Sequence, residues 1–417
     1  MEAQSQLYFL QLLVGKDNRE SEVGIQDSEY RRREIRRIKF FDSLLYPGFC
    51  ILNLILRSIT LKNFRNYKVE TLTFHERFNL ISGENAQGKT NLLESIQLLC
   101  TLRPFKQVKM EELINLGETE GRIKGEIESD SGLNEVHITL TKGGKTVRLN
   151  GKVIYDVTKF IGRFNVVTFL PSDLRLVKGT PQDRRRYLDA LICSLKPEHL
   201  RDLRLYIRAL TQRNASLIRG RTAEALDVWD EKIVEIGGRI LRRRINLIQR
   251  LGPELEKNYR LISGLSSDIK IIYRSSFKLG GDIEEELRSE LKSRLPQDKR
   301  RGITSVGPHR DIPGFTIDGK DASVFASQGE VKTIALALKA SEIALISSIL
   351  ERTPILLLDD ITSELDEKRR KFLLMFLEGF SGQVFVTATS SGEIIHRGDK
   401  RIFLIKSGRV QPIAYKQ

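Results

Sequence analysis

Cysteine is nearly absent from this 417-residue chain. Its three copies, Cys50, Cys100 and Cys193, stand far apart and are odd in number, which leaves neither a disulfide framework nor the paired spacing of a zinc site. That scarcity fits a reducing cytoplasm. No apolar run reads as long enough to cross a bilayer, and the N-terminus lacks the basic, apolar and small-residue order of a signal peptide, so neither a membrane span nor export is expected. Histidine is scarce too, with five copies. His75, His137, His199 and His396 are scattered; His309 sits in the block "GPHRD", where polar contacts near a nucleotide and a turn-stabilising role are both open. Helix-turn-helix, zinc-finger and aromatic stacking patterns are also missing, so nucleic-acid contact is expected at the backbone rather than the bases. Carboxylates are the minority charge: 54 Asp and Glu against 69 Lys and Arg give +15 and an isoelectric point near 9.6, a balance that favours anionic partners such as nucleic acid or an acidic membrane surface.

The remainder is ordinary globular composition, 40% hydrophobic and 29% charged, enough for one large core or two smaller ones. Residues 1–53 differ: the polar "GKDNRESEVGIQDSEY" leads into "RRREIRRIKF" without core periodicity, which reads as an appended tail, arising from a start assigned too early or serving as a basic arm. Regular patterning begins at Leu54. "LILRSITLKNF" and "RFNLISG" read as strands, and "NLLESIQLLC" places Leu92, Leu93, Ile96 and Leu99 at helical spacing. Segments between about 120 and 170, the last of them "FNVVTFLP", read as antiparallel sheet. From 182 to about 262 two helices predict a hairpin arm of roughly 35 to 55 Å per helix. One carries Leu200, Leu203, Ile207, Leu210 and Leu217 as its stripe, the other Leu226, Trp229, Ile233, Ile236, Ile240 and Leu247. A strand, a charged helix near 283–294, further strands, a long helix and "PILLLDD", "QVFVTA" and "RIFLIKSGRV" complete the pattern.

Between the second strand and the helix lies "SGENAQGKTN", with Gly83-x-x-x-x-Gly88-Lys89-Thr90. In a loop of this type, Gly83, Glu84, Asn85, Ala86, Gln87, Gly88, Lys89 and Thr90 turn backbone N–H groups onto a phosphate at the positive end of the following helix. Lys89 is expected to reach the β and γ phosphates of ATP, and Thr90 to hold Mg²⁺. A loop like this calls for a buried acidic strand end, and "ILLLDD" supplies it: Asp359 anchors the metal and Asp360 orients or deprotonates an attacking water. Some 269 residues separate Thr90 from Asp359, so something large is inserted. Ser327, Gln328, Gly329 and Glu330 open the long helix as a capping box. A Ser-x-Gly-Glu start shortly before a buried "LLLDD" strand is the order found in ABC-type ATPases, where it closes over the γ-phosphate held by a second subunit.

With "LTLKNFRNY", "FLPSDLRLVKGTPQDRRRYLD", "VGPHRD", "SQGEVKTIALALKASE" and "ILLLDDITSELD", the chain resembles the RecF family of bacterial recombination and replication-repair proteins from about Leu54 onward. The resemblance implies an α/β fold: an ABC-type P-loop ATPase head with mixed sheets plus a helical-hairpin arm. Residues 54–172 and 302–417 would form the head and 173–301 the arm. It implies that Gly83–Thr90 is the Walker A loop, Asp359 and Asp360 the Walker B pair, Ser327–Glu330 the signature, and Ser363 to Asp366 the D-loop that crosses the subunit boundary. Asp173 falls where related ATPases carry a sensing loop. Thr389 and Ser390 stand where transporter-like ATPases place a histidine, which is consistent with slow hydrolysis; that difference, with the long arm, argues against a transporter's nucleotide-binding subunit. The resemblance further implies a cytoplasmic, ATP-dependent DNA-binding protein of replication, gap repair and the SOS response to DNA damage. It would dimerise on ATP, act on single-stranded or gapped DNA, and assist recombinase loading with recombination mediators of the RecO/RecR type. Arg184, Arg185, Arg186, Arg242, Arg243 and Arg244 are the expected DNA contacts, with Lys299, Arg300 and Arg301 beyond them.

Overall fold

The computed structural model describes residues 52–106, 108–360, 365–389 and 399–411; the expectations for the N-terminal 51 residues, Ser363, Ser390 and His396 fall outside them. Along the chain the strands are β1 (Leu52–Asn53), β2 (Ile55–Phe64), β3 (Tyr67–Thr73), β4 (Phe78–Ser82), β5 (Glu120–Ser129), β6 (Gly132–Thr141), β7 (Gly144–Leu149), β8 (Lys152–Val153) and β9 (Val166–Phe169). There follow β10 (Ile269–Arg274), β11 (Ile312–Ile317), β12 (Lys320–Asp321), β13 (Arg352–Thr353), β14 (Ile355–Leu358), β15 (Val384–Ala388), β16 (Lys400–Lys406) and β17 (Arg409–Gln411). The principal helices are α1 (Lys89–Thr101), α2 (Pro181–Leu195), α3 (Glu198–Ile218), α4 (Ala223–Ser263), α5 (Ile283–Arg301), α6 (Gln328–Leu350) and α7 (Glu367–Gly379).

Two six-stranded sheets carry the head. One runs β3-β2-β5-β6-β7-β8 and is antiparallel throughout; the other runs β17-β16-β4-β15-β14-β9, parallel except for the terminal β16–β17 hairpin. Helix α1 packs between them. Leu92, Leu93, Ile96 and Leu99 are fully buried in one core with Ile59 and Leu61 of the first sheet and Leu357 and Phe385 of the second. Each such side chain contributes about 1.5–3 kcal/mol of burial. Strand β9 is a correction: "FNVVTFLP" joins the parallel sheet beside β14, not the antiparallel one. A four-residue run has too few positions to show its pairing partner. The folded body also begins earlier than Leu54, because Leu52 and Asn53 pair in parallel with Arg352 and Thr353.

The expected hairpin is present as α3 and α4, but the first helix is interrupted at Lys196 and Pro197, and α4 reaches 41 residues, roughly 60 Å. Its stripe also differs. Ile207 is 60% exposed, and the inward face of α3 is His199, Asp202, Tyr206, Ala209, Arg213 and Leu217. The sequence reading followed leucines, whereas the buried register is half polar. Arg213, fully buried, donates to Asp298 at 2.8 Å and to Thr304 at 3.0 Å, and also pairs with Asp230, tying α3 to α4 and α5. A second apolar cluster, including Ile233, Ile236, Ile240, Leu287 and Leu291, fills the arm.

Helix α6 revises one exclusion. At 23 residues it is long and apolar enough to cross a membrane, yet 72% of its apolar stretch is buried within the protein. It is apolar on all sides because it packs on α4 and on the parallel sheet.

Candidate functional site

Strands β4, β15 and β14 lie side by side and parallel, so the loops after their carboxyl ends meet at one edge of the sheet, where α/β folds place their ligands. The glycine loop leaves β4 there. Gly83 has φ +151°, and a Cβ on it would sit 2.4 Å from the Ile405 carbonyl oxygen; Gly88 has φ +117°, and a Cβ would press on the Asn66 amide at 2.6 Å. Both positions therefore need glycine. Glu84, Asn85 and Ala86 form the exposed rim. Lys89 is 5% exposed, with Nζ donating to the Gly83 carbonyl at 2.6 Å and the Glu84 carbonyl at 2.9 Å. Its ammonium is thus held inside the curl of its own loop, at the N-terminus of α1, where an anion is favoured by both the charge and the helix end.

The loop is braced from outside by residues that the motif does not include. The Gln87 carbonyl accepts from Asn66 Nδ2 and from the Gly408 N–H, each at 2.9 Å, while Gln87 Oε1 accepts from the Ser407 N–H at 2.6 Å. Tyr67 donates its hydroxyl to the Gly88 carbonyl at 2.9 Å. These partners come from the β2–β3 turn and the β16–β17 turn, and nothing local in sequence couples either turn to the loop.

Across β15, Thr90 Oγ1 donates to the Asp359 carboxylate, 3.0 and 2.9 Å from its two oxygens. Thr387 Oγ1 donates to Asp359 Oδ1 at 2.9 Å and accepts from the Asp360 N–H, also at 2.9 Å. Thr387 was missed by the sequence reading; its signal was a hydroxyl on the one strand lying between the loop and the acidic pair. Burial pushes the Asp359 carboxyl up, the Thr90 and Thr387 hydrogen bonds oppose this, and neighbouring Asp360 adds to it. A hydroxyl and a buried carboxylate converging in this way are the hard oxygen donors that magnesium takes, with waters and phosphates completing its shell. Asp360 follows in the left-handed region, φ +49°, a backbone state that Asp tolerates better than most residues and that turns the chain sharply after the metal-type carboxylate.

Ser327 caps α6 as a capping box: its N–H donates to Glu330 Oε2 at 2.8 Å, and its Oγ accepts from the Glu330 N–H at 3.2 Å. Ser327 and Gln328 are exposed, and Arg369 donates to the Gly329 carbonyl at 2.6 Å. Asp366 caps α7, accepting from the Arg369 N–H at 3.0 Å, so Arg369 joins the expected D-loop end to the signature helix. Among the described residues, the hydrogen-bond partners of Ser327 to Glu330 are in their own helix and at Arg369, and Tyr259 of α4 feels the Glu330 charge. Asp173, just after β9, accepts from the Leu170 N–H at 2.8 Å and lines a cavity with Leu365 and with Lys332 and Lys339 of α6; burial raises its carboxyl and Lys339 opposes the shift.

The arginines of the two triplets differ in their surroundings. Arg184 is buried and donates to the Pro313, Val177 and Gly179 carbonyls, and Arg185 donates to the Asp311 carbonyl. Arg244 is 3% exposed and grips Asp189 through two bonds of 2.8 and 2.7 Å; burial alone would raise Asp189, but Arg244 and His199 hold it at about 2. Arg243 pairs with Asp202 and Arg242 with Glu284. Of the six, Arg186 and Arg242 are exposed, Arg185 and Arg243 are half-buried, and Arg184 and Arg244 are buried. A run of adjacent arginines on a helix points in several directions, and these point mostly inward. His309 is a hub of the arm: Nδ1 meets Tyr206 Oη at 2.8 Å and Nε2 meets the Thr304 carbonyl at 3.1 Å. Burial pushes its imidazole down to about 4. The open choice for this histidine thus falls to the structural role.

The model of the RecF/RecN/SMC N-terminal domain matches residues 55–409. The DNA replication and repair protein RecF of Geotalea uraniireducens (strain Rf4) is 39% identical over 361 residues, 85% of this chain and 99% of that protein. The solved structure of the recombination mediator protein RecF-ATPrS in the RecFOR pathway superposes with a TM-score of 0.80 at 36% identity, covering 87% of this chain and 99% of that one. The Smc head domain of Pyrococcus furiosus, bound to the C-terminal domain of ScpA, shares the fold at a TM-score of 0.51 and 16% identity, over 86% and 95% of the two chains. By glycine loop, acidic strand end, overall fold and near-complete coverage of its relatives, this chain belongs to the RecF family of ABC-type ATPases.

Proposed function

We propose that this chain is a cytoplasmic, ATP-dependent DNA-binding protein of replication, recombinational gap repair and the SOS response, which uses slow ATP hydrolysis as a timer. The observation that carries the reading is the convergence of Lys89, Thr90, Asp359 and Thr387 at one sheet edge, while Ser327 to Glu330 are turned to their own helix and to Arg369. Thr90 and Asp359 would hold Mg²⁺, which supplies charge neutralisation for the phosphates when bound. Lys89 gives its ammonium to the phosphates in place of the loop carbonyls. Asp360 accepts a proton from the attacking water, and Thr387 holds the Asp359 carboxylate and the Asp360 backbone N–H. The exposed Ser327 helix start then serves the loop of a second copy, so that ATP joins two chains into a clamp on single-stranded or gapped DNA. Mediators of the RecO/RecR type and the recombinase would act on that assembly.

Light scattering with and without ATP and Mg²⁺ tests this reading. Wild-type protein should gain mass toward a dimer, whereas Lys89→Met and Ser327→Arg should not; no nucleotide effect in any of the three would defeat the shared-site reading. A second reading, a loading platform that binds ATP without turnover, is separated by comparing the ATPase rate of Asp360→Asn with wild type.

A further inference from the structure

The cations left on the outside of the arm are not those that stand in sequence triplets. Arg201, Arg204, Arg208 and Arg219 of α3 and its C-cap are exposed, and at 100° per residue they fall within about 60° of one another around the helix axis. Thr211 and Gln212, both exposed, lie between Arg208 and Arg219 and are uncharged, the Thr211 hydroxyl donating to the Ile207 carbonyl of its own helix at 2.9 Å. From His199 to Thr222 the chain carries one carboxylate, Asp202, and it is buried against Arg239 and Arg243. Several exposed arginines elsewhere on the arm are paired instead: Arg242 with Glu284, Arg260 with Glu256, Arg294 with Glu290. Among the described residues the four α3 arginines have no such pair; Asp156 feels Arg204, and Glu198 stands in the first turn. The stripe ends where Ile218 meets Gly302, bringing it to the exposed Lys299, Arg300 and Arg301 that close α5.

We infer that this face of α3 is a docking surface for the phosphate backbone of duplex DNA. The inference rests on the DNA-binding reading above and assigns it to a surface. Arg201 to Arg219 spans roughly 27 Å at about 1.5 Å per residue, close to eight base pairs of duplex. A straight rigid row of cations with no exposed aromatic on it suits a regular backbone; single-strand binders add stacking platforms, and the aromatic of this helix, Tyr206, is buried.

The experiment is a salt titration of binding to a 30-base-pair duplex and to a 30-nucleotide oligothymidine, with ATP and Mg²⁺ present, comparing wild type with the fourfold Arg→Ala variant at 201, 204, 208 and 219. Melting temperature and ATP affinity serve as checks on the fold, and the fourfold Arg→Lys variant keeps the charge. Duplex affinity of the alanine variant should fall at least tenfold, its log–log salt slope should shrink by about 3 to 4, and the lysine variant should retain most of the binding. Unchanged duplex affinity and slope would overturn the surface while leaving the DNA-binding reading intact. Equal losses on both DNAs would overturn the duplex assignment, and so would intact duplex binding with loss of an acidic polypeptide such as polyglutamate. A wild-type protein that binds neither DNA would instead sink the DNA-binding reading itself.

Discussion

The glycine loop and the start of helix α6 carry the two halves of one expected chemistry, yet the fold treats them in opposite ways. The loop is clamped from three sides, by the β2–β3 turn, by the β16–β17 turn and by Asp359 across β15. The helix start is capped by itself, rimmed by exposed residues and touched from one side by Arg369. Rigid preparation at the first and exposure at the second suit a chain that holds a nucleotide alone and offers its helix end to another copy.

The largest expected effect separates the two halves directly. Lys89→Met should weaken nucleotide binding by about a hundredfold, about 2.7 kcal/mol, because the loop's interior cation is lost. Ser327→Arg, measured by the same nucleotide titration, should stay within about twofold of wild type while abolishing ATP-dependent self-association. Equal loss of nucleotide binding in both would erase the contrast.

Acid should strike the arm before the head. His309 is buried with Arg310, Arg185 and Arg244 nearby, Tyr206 on one nitrogen and the Thr304 carbonyl on the other, and its value is lowered to about 4. The unfolded chain therefore binds the proton more readily, so stability is full above the unfolded value near 6.5 and falls as pH drops toward 4, by on the order of 2–3 kcal/mol. Hydrogen exchange between pH 7 and 4.5 should show α3 and α5 opening first, and His309→Gln should flatten that dependence. Smaller again, Asn66→Ala should cost about 1 kcal/mol, roughly fivefold in nucleotide affinity, by freeing one side of Gln87; calorimetric titration reads it. Smallest in function is Ser327→Ala, which loses the cap, about 1 kcal/mol of stability by thermal melting, with nucleotide affinity unchanged.

The parts of this site that were legible in sequence are those with a local rule. Gly83 and Gly88 are required by backbone angle, "ILLL" by full burial, and Ser327 and Glu330 by the three-residue reach of a capping box. The parts that were not legible depend on pairing across hundreds of residues. Gln87 meets Ser407, 320 positions away, and Thr387 matters because β15 happens to lie between β4 and β14. The arm misled for a related reason. Leucine spacing suggested an apolar seam through Ile207, but α3 buries Asp202 and Arg213 because α4 and α5 supply their partners. Of the adjacent arginines, Arg184 and Arg244 are internal ties, while arginines three, four and eleven residues apart on α3 share the outer face.

The central claim is that the working site is shared between chains, and mixing two defective proteins tests it most directly. Lys89→Met keeps an intact helix start and Ser327→Arg keeps an intact loop, so a mixed pair contains one complete site and one doubly broken one. Sedimentation with one protein fluorescently labelled, in ATP and Mg²⁺, should show each variant alone as a monomer and the mixture forming heterodimers. If the mixture sediments as the sum of its two monomers while wild type dimerises, the site does not lie between Lys89 of one chain and Ser327 of the other.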